Sequence, residues 1–191
     1  AALDGILYAA DTRGNLWKIL IQDLNQRQVL ALKVSTDRGL GEAAREVKAP
    51  ILALRNRVLV ATMDGTLHAF ESRPGRIAPL WSTPLGPPGV YQSSRRGLAL
   101  GAPVPDPVEP RVYLSLRDRV AAIHTETGQV AWESPLQDAV ETRPALWRDQ
   151  LLVGLCVGRL LAFDRNRGTL AWSLDLPACP SAGPALWGDQ V

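Results

Sequence analysis

The side chains that most often carry catalysis or bind metals are few in this 191-residue chain. His68 and His124 occupy different columns of the repeat described below, so we do not expect them to share a site. His124 stands where another repeat has Asp, which favours a turn-capping role, with a general base as the alternative. Cys156 and Cys179 lie 23 positions apart without further Cys or His at ligand spacing. This spacing argues against zinc and leaves one optional disulfide open.

Known catalytic motifs are also missing from the sequence. No Gly-x-Ser-x-Gly, P-loop, His-Glu-x-x-His or Asp-x-Asp-x-Asp pattern is present. We therefore predict no catalytic residue, no metal site and no cofactor.

The composition excludes several classes of protein. A hydrophobic content of 46% argues against disorder. No apolar run approaches the ~18 residues that a membrane-spanning helix needs, so no direct membrane span is predicted. The net charge is only +2, and the arginines are scattered apart from the pair Arg95-Arg96. Nucleic-acid binders concentrate positive charge on one face, so no nucleic-acid partner is predicted.

The chain contains four similar segments. Trp132 and Trp172 are 40 residues apart, as are Trp147 and Trp187. The first copy, which begins near Asp4, degenerates and has only Leu30 near the tryptophan column. Each copy holds short β-branched runs bounded by turn residues, and a period of about 40 residues with four such strands is that of a propeller blade.

The best-preserved copy runs from Ala162 through Asp164 and Gly168 to Trp172. It resembles the repeat of PQQ-like, quinoprotein-type β-propellers, whose form is Ala-x-Asp-x-x-x-Gly-x-x-x-Trp. The resemblance implies an all-β fold of about four four-stranded antiparallel blades, within a seven- or eight-bladed ring. It also implies that each tryptophan docks against the neighbouring blade, which assigns docking roles to Gly75, Trp81, Gly128, Trp132, Asp164, Gly168 and Trp172.

The active members of this family are quinoprotein dehydrogenases. They resemble one another in a calcium ion, a catalytic Asp and a vicinal pair of cysteines over the cofactor. This chain has no adjacent cysteines, so the resemblance favours a non-catalytic member similar to the outer-membrane assembly lipoproteins. A fragment of a quinoprotein dehydrogenase or other propeller enzyme is one alternative. A sensor or accessory propeller fused to a catalytic domain is another.

Two segments depart from the repeat and are candidate binding loops. Residues 82–110 are rich in proline, and we expect Gly97–Leu100 to supply a missing strand there. Gln22 to Lys48 replaces the regular turn of the first copy. Proline-stiffened loops lose less entropy on docking, which suits a protein or peptide partner. The candidate contact residues are Pro84, Pro87, Pro88, Tyr91, Arg95 and Arg96.

We expect one partial propeller domain over residues 1–191. Its repeats span about 1–48, 49–96, 97–139 and 140–180, and a further repeat starts at 181–191. An open arc of blades would need the remaining blades of its parent chain or self-association. The function that the sequence favours is a protein-binding scaffold. The family resemblance alone favours a bacterial cell envelope or periplasm.

Overall fold

The computed structural model describes residues 2–11, 15–31, 47, 50–62, 65–73, 76–85, 103–116, 118–140, 142–180 and 182–185. Within these ranges the regular secondary structure is entirely β, with sixteen strands. The chain divides into two compact units, Ala1–Leu98 and Ala99–Val191, here called unit 1 and unit 2. The expectation of a single propeller domain, with its repeat boundaries, stays a prediction.

Unit 1 contains two four-stranded antiparallel sheets, and strands that follow one another in the chain are neighbours. Sheet 1 consists of β1 (Ala2–Leu3), β2 (Ile6–Ala10), β3 (Asn15–Leu20) and β4 (Asp23–Ala31). Sheet 2 consists of β5 (Leu52–Leu54), β6 (Arg57–Ala61), β7 (Thr66–Arg73) and β8 (Arg76–Pro84). The Gln22 to Lys48 segment, which the sequence suggested as a loop, therefore begins with a nine-residue strand.

Unit 2 repeats the same plan. Sheet 3 consists of β9 (Val104–Pro105), β10 (Arg111–Leu116), β11 (Arg119–His124) and β12 (Val130–Pro135). Sheet 4 consists of β13 (Ala145–Trp147), β14 (Gln150–Leu155), β15 (Arg159–Asp164) and β16 (Leu170–Asp175). The strand that pairs with β10 is β9. The sequence placed that strand at Gly97–Leu100, which lies outside the described residues.

Each unit has its own apolar core, formed by the middle strands of its sheets. The middle strands of sheets 2, 3 and 4 are buried on both faces along most of their length, as their β-branched and leucine-rich sequences require, whereas β2 and β3 of sheet 1 are only partly buried. The core of unit 1 includes Leu16, Val58, Val60 and Phe70. The core of unit 2 includes Val120, Leu151, Val153 and Phe163, among others. The outer strands β8, β12 and β16 are mostly exposed.

The three sheets that carry a repeat tryptophan share one irregularity. The register of the last strand shifts immediately before the tryptophan, which leaves Leu80, Ala131 and Ala171 as the extra residues. Such a bulge turns the following side chain to a new direction. Each tryptophan also lies opposite a fully buried alanine, so that a small residue faces the indole: Ala69, Ala122 and Ala162.

Candidate functional site

In unit 2, the Trp132 side chain of sheet 3 lies against the β15–β16 turn of sheet 4. Its indole N–H donates a 2.9 Å hydrogen bond to the carbonyl oxygen of Arg165. Its ring covers Gly168, where an added Cβ would come within 2.5 Å of Trp132 Cδ2. The Ser134 hydroxyl donates a 2.5 Å hydrogen bond to the Gly168 carbonyl. One turn therefore receives a ring and two hydrogen bonds from the neighbouring sheet.

The turn that receives Trp132 is shaped by its own residues. Asp164 Oδ1 accepts hydrogen bonds from the backbone N–H groups of Asn166, at 2.9 Å, and Arg167, at 2.8 Å. Gly168 has φ of +70°, and Gly128 in the equivalent turn of sheet 3 has +74°. These are left-handed conformations that glycine adopts without steric cost. Glycine at both positions therefore suits the backbone of the turn.

A buried carboxylate adds an ion pair between sheets 3 and 4. Asp106, whose side chain is fully buried, follows β9 and accepts backbone hydrogen bonds from Val108 and Glu109 at 2.9 and 3.0 Å. Its Oδ2 accepts a 2.6 Å hydrogen bond from the Tyr113 hydroxyl. The Arg165 guanidinium lies 3.6 Å from Asp106 Oδ1. Asp106 therefore ties its own loop, β10 and the turn of sheet 4 to one point.

The electrostatics of this cluster favour an ionised Asp106. Burial alone would raise the pKa of the Asp106 carboxyl, but the hydrogen bonds it accepts and the charge of Arg165 outweigh burial. The net result is a pKa below the usual range of an aspartate. Burial and the hydrogen bond to Asp106 raise the pKa of Tyr113. Tyr113 is thus a neutral donor and Asp106 a charged acceptor at neutral pH.

In unit 1, sheet 1 reaches the β7–β8 turn of sheet 2 with a different side chain. The buried amine of Lys18 donates hydrogen bonds to the carbonyl oxygens of Arg73 and, at 3.0 Å, Arg76. The Tyr8 and Ser72 hydroxyls form a 2.6 Å hydrogen bond beside it. Desolvation of the buried amine lowers the pKa of Lys18. A cation and a phenol therefore bridge these two sheets.

The register identifies Lys18 as the counterpart of the alanines that face the tryptophans. Lys18 pairs with Gln28 across β3 and β4, as Ala122 pairs with Trp132 across β11 and β12. The column that the sequence approximated with Leu30 thus holds Gln28, because Leu30 pairs with Leu16. The first sheet replaces an Ala–Trp pair by a Lys–Gln pair, and the lysine makes the inter-sheet bonds.

The remaining residues with assigned docking roles occupy varied positions. Trp172 is half-buried in β16, and its indole donates a 3.0 Å hydrogen bond to Gln150 Oε1 of its own sheet. Trp81 is half-buried in β8. Gly75 lies outside the described residues. Docking roles for Trp81, Gly75, Gly128 and Trp172 stay predictions.

The candidate binding loop begins at the end of β8. Pro84 is the exposed last residue of that strand, and buried Leu85 donates a 2.9 Å backbone hydrogen bond to Gly65. The loop thus departs from a fixed point. Its other candidate contact residues, namely Pro87, Pro88, Tyr91, Arg95 and Arg96, lie outside the described residues.

The two histidines belong to different units of the chain. His68 in β7 is buried, stacks on Phe70 at 6.3 Å between ring centroids and hydrogen-bonds Thr62 at 3.2 Å and Ser82 at 2.8 Å. His124 is half-buried at the end of β11 and belongs to unit 2. No disulfide joins Cys156, which is half-buried, to Cys179, which is exposed.

The described residues of each unit line a cavity. One in unit 1 has about 510 Å³ and is lined by Ile6, Lys18, Leu20 and polar residues of the β3–β4 hairpin. One in unit 2 has about 570 Å³ and is lined largely by proline and aliphatic residues of β9, β13 and the segment around Gly183. Within the described ranges, no three His, Cys, Asp or Glu side chains cluster to hold a metal. No described helix is long and apolar enough to cross a membrane.

A comparison with protein families decides what these repeated sheets are. A family model (PQQ_2) described as outer membrane protein assembly factor BamB matches residues 78–191. The chain belongs to this PQQ-like β-propeller repeat family. Its four sheets are accordingly propeller blades. No curated protein sequence matches the chain.

Solved structures with the same fold include natural and designed proteins. The crystal structure of BamB from Moraxella catarrhalis has a TM-score of 0.71 at 20% identity, covering 93% of this chain and 51% of that chain. The computationally designed Ika8 protein has a TM-score of 0.69 at 17% identity, covering 98% and 51%. A europium-containing methanol dehydrogenase has a TM-score of 0.55 at 15% identity, covering 68% and 25%. The chain thus spans about half the length of the first two structures.

Sequence reasoning missed two side chains that bridge the blades. Lys18 carried a signal, because it is a charged residue in a column that is otherwise alanine. Asp106 lies in a proline-rich stretch and resembled an ordinary turn aspartate. Its partner Arg165 belongs to another blade, and no local spacing connects the two.

Proposed function

We propose that the protein is a non-catalytic PQQ-like propeller scaffold that binds a protein partner during assembly in the bacterial cell envelope. The observation that carries the proposal is the match of residues 78–191 to the family described as outer membrane protein assembly factor BamB. The inter-blade contacts support it, because Trp132, Lys18 and Asp106 are used to hold blades to one another. Rigid blades present loops in fixed places, which suits recognition.

We further propose that the loop after β8 contacts the partner, through Pro84, Pro87, Pro88, Tyr91, Arg95 and Arg96. Buried Leu85 supports this placement, since it anchors the start of the loop to the β6–β7 hairpin. Proline reduces the entropy that a loop loses on binding. Tyrosine and arginine are among the side chains most enriched at interface hot spots.

Site-specific photo-crosslinking in Gram-negative bacteria tests this function. A photoreactive amino acid at Tyr91 should give a discrete adduct with a component of outer membrane protein assembly. The same probe at Glu126, in the exposed β11–β12 turn, is the control. The Arg95→Ala/Arg96→Ala variant should weaken the Tyr91 adduct at least about tenfold if these arginines are hot spots. No adduct, or equal adducts from both positions, would contradict the proposal.

A quinoprotein-related role is the second candidate, because the fold is also similar to that of the europium-containing methanol dehydrogenase. A titration with PQQ, with and without calcium or europium, separates the two functions. The scaffold proposal expects no saturable change in absorbance or thermal midpoint. Stoichiometric saturable binding would overturn it in favour of the enzyme.

A further inference from the structure

The two cysteines of the chain belong to neighbouring segments of sheet 4. Cys156 is in the β14–β15 turn, and Cys179 is in the segment 176–180 that follows β16. Cys156 is half-buried and Cys179 is exposed. The question is whether the two segments are aligned closely enough for the thiols to react.

Close backbone contacts fix the alignment of these segments. The Leu176 N–H donates a 2.7 Å hydrogen bond to the Gly158 carbonyl, and an added Cβ at Gly158 would lie 3.2 Å from the Ala178 carbonyl oxygen. At the other end, an added Cβ at Gly154 would lie 2.9 Å from Pro180 Cγ. As the chain advances from 176 to 180, its contacts therefore move back from 158 to 154. On this alignment Cys156 lies opposite Ala178, the residue that precedes Cys179 in the chain.

We propose that Cys156 and Cys179 are a redox-sensitive pair that forms a reversible intramolecular disulfide. The reaction needs a small-molecule disulfide, such as oxidised glutathione, as the oxidant. The exposed Cys179 thiolate attacks the oxidant, forms a mixed disulfide and releases one thiolate. The Cys156 thiolate then attacks the Cys179 sulfur and releases the second. The protein loses two protons and two electrons, and the oxidant becomes two thiols.

The bond would fasten the outer end of sheet 4 to its central hairpin. The segment 176–180 connects the exposed edge strand β16 to residues 182–184, and Gly183 packs against the Arg143 carbonyl beside β13. Cross-linking residues 23 positions apart restricts the unfolded chain, which stabilises the fold. Oxidation should therefore raise the thermal midpoint of unfolding by roughly 5 °C, and reduction should reverse the rise.

Oxidation of the native protein with oxidised glutathione, followed by intact mass and peptide mapping, tests the proposal. The expected product has lost the mass of two hydrogen atoms and yields one peptide pair that contains both cysteines. The bond should form at least about tenfold faster in the native protein than in urea, because the fold holds the thiols together. The Cys156→Ser variant should stop at the glutathione adduct on Cys179.

Three results would overturn the proposal. One is a native protein that retains the glutathione adduct on Cys179. Another is a disulfide that forms only in urea. The third is a disulfide between two molecules. If Cys156→Ser fails to fold, alkylation of Cys179 before oxidation provides the same control, since it should abolish the loss of mass in the otherwise unchanged chain.

Discussion

The two units join their blades at the same place, where the last two strands of a sheet meet the neighbouring sheet, with different chemistry. In unit 2, Trp132 covers Gly168 and donates to the Arg165 carbonyl, so most of the contact is apolar. In unit 1, the Lys18 amine donates to two carbonyls of the β7–β8 turn. Backbone carbonyls accept from an indole or from an amine, so the repeat tolerates loss of its tryptophan. The indole contact is independent of pH, whereas the amine carries a titratable charge.

The largest expected effect is the removal of the indole from the unit 2 junction. Trp132→Ala should destabilise unit 2 by about 4 kcal/mol, because it empties a buried site between two sheets. Trp172→Ala, in the same column of the next blade, should cost only about 1 kcal/mol because that side chain is only half-buried. Urea denaturation measures both. Equal losses of stability in the two variants would contradict the claim that the contact of Trp132 with the neighbouring blade stabilises unit 2.

A methyl group under the same ring should cost almost as much. Gly168→Ala should destabilise by about 3 kcal/mol, since the Cβ meets the Trp132 ring and φ is +70°. Gly5→Ala is the matched control, because φ is +74° there and nothing lies within 4 Å of the added Cβ. Gly5→Ala should lower the free energy of unfolding by only about 1 kcal/mol, because its cost is limited to placing a residue with a Cβ in the left-handed conformation. A Gly168→Ala cost no larger than that of Gly5→Ala would contradict the packing of Trp132 on Gly168.

The buried carboxylate gives unit 2 a dependence on acid. Asp106→Asn should cost about 3 kcal/mol at pH 7, because Arg165 and Tyr113 lose a charged partner. The pKa of Asp106 is depressed on folding, so its stabilisation is complete above pH ~4 and fades as the pH falls through the folded value. The difference in the free energy of unfolding between wild type and Asp106→Asn, measured by urea denaturation, should become smaller below pH ~4. A difference in the free energy of unfolding that increases below pH ~4 would contradict an ionised Asp106.

The smallest expected effect is that of replacing Lys18, and its dependence on pH distinguishes the amine contact of unit 1 from the indole contact of unit 2. Lys18→Met should cost only about 1 kcal/mol at pH 7, since the lost hydrogen bonds are offset by relief from burying a charge. Between the lowered folded pKa of Lys18 and 10.5, the unfolded chain binds more protons, so stability rises with pH. The free energy of unfolding of the wild type should therefore rise relative to that of Lys18→Met as the pH approaches 10.5. The difference between the wild type and Trp132→Phe should not change with pH in this range. If the stabilities of the wild type and Lys18→Met changed with pH in parallel, the assignment of a desolvated amine to Lys18 would be contradicted.

Much of this architecture could be predicted from sequence because each blade is formed by residues that are close together in the chain. The strand–turn–strand pattern around Gly168 and Trp172 lies within one short segment, and turn chemistry and alternation act over such distances. The all-β blades and the family membership are confirmed. The short strand β9 was missed, since it pairs through only two residues and one of them is proline, which is depleted in strands.

The bonds between blades could not be predicted in the same way. Whether Lys18 meets Arg73, or Asp106 meets Arg165, depends on how two sheets stack, and neither pair has a fixed separation in sequence. The bulge before Trp132 is equally hidden, because it arises from pairing rather than from composition. The tryptophan column was visible because its residue type is distinctive.

Hydrogen exchange of the indole N–H groups, followed by NMR on protein with isotopically labelled tryptophan, tests the central claim most directly. The claim is that Trp132 is buried in the turn of the next blade. Its N–H should exchange at least about tenfold more slowly than that of Trp172, since Trp132 donates to a backbone carbonyl of the neighbouring blade, whereas Trp172 donates to Gln150 of its own blade. Exchange of Trp132 as fast as that of Trp172 would contradict this junction.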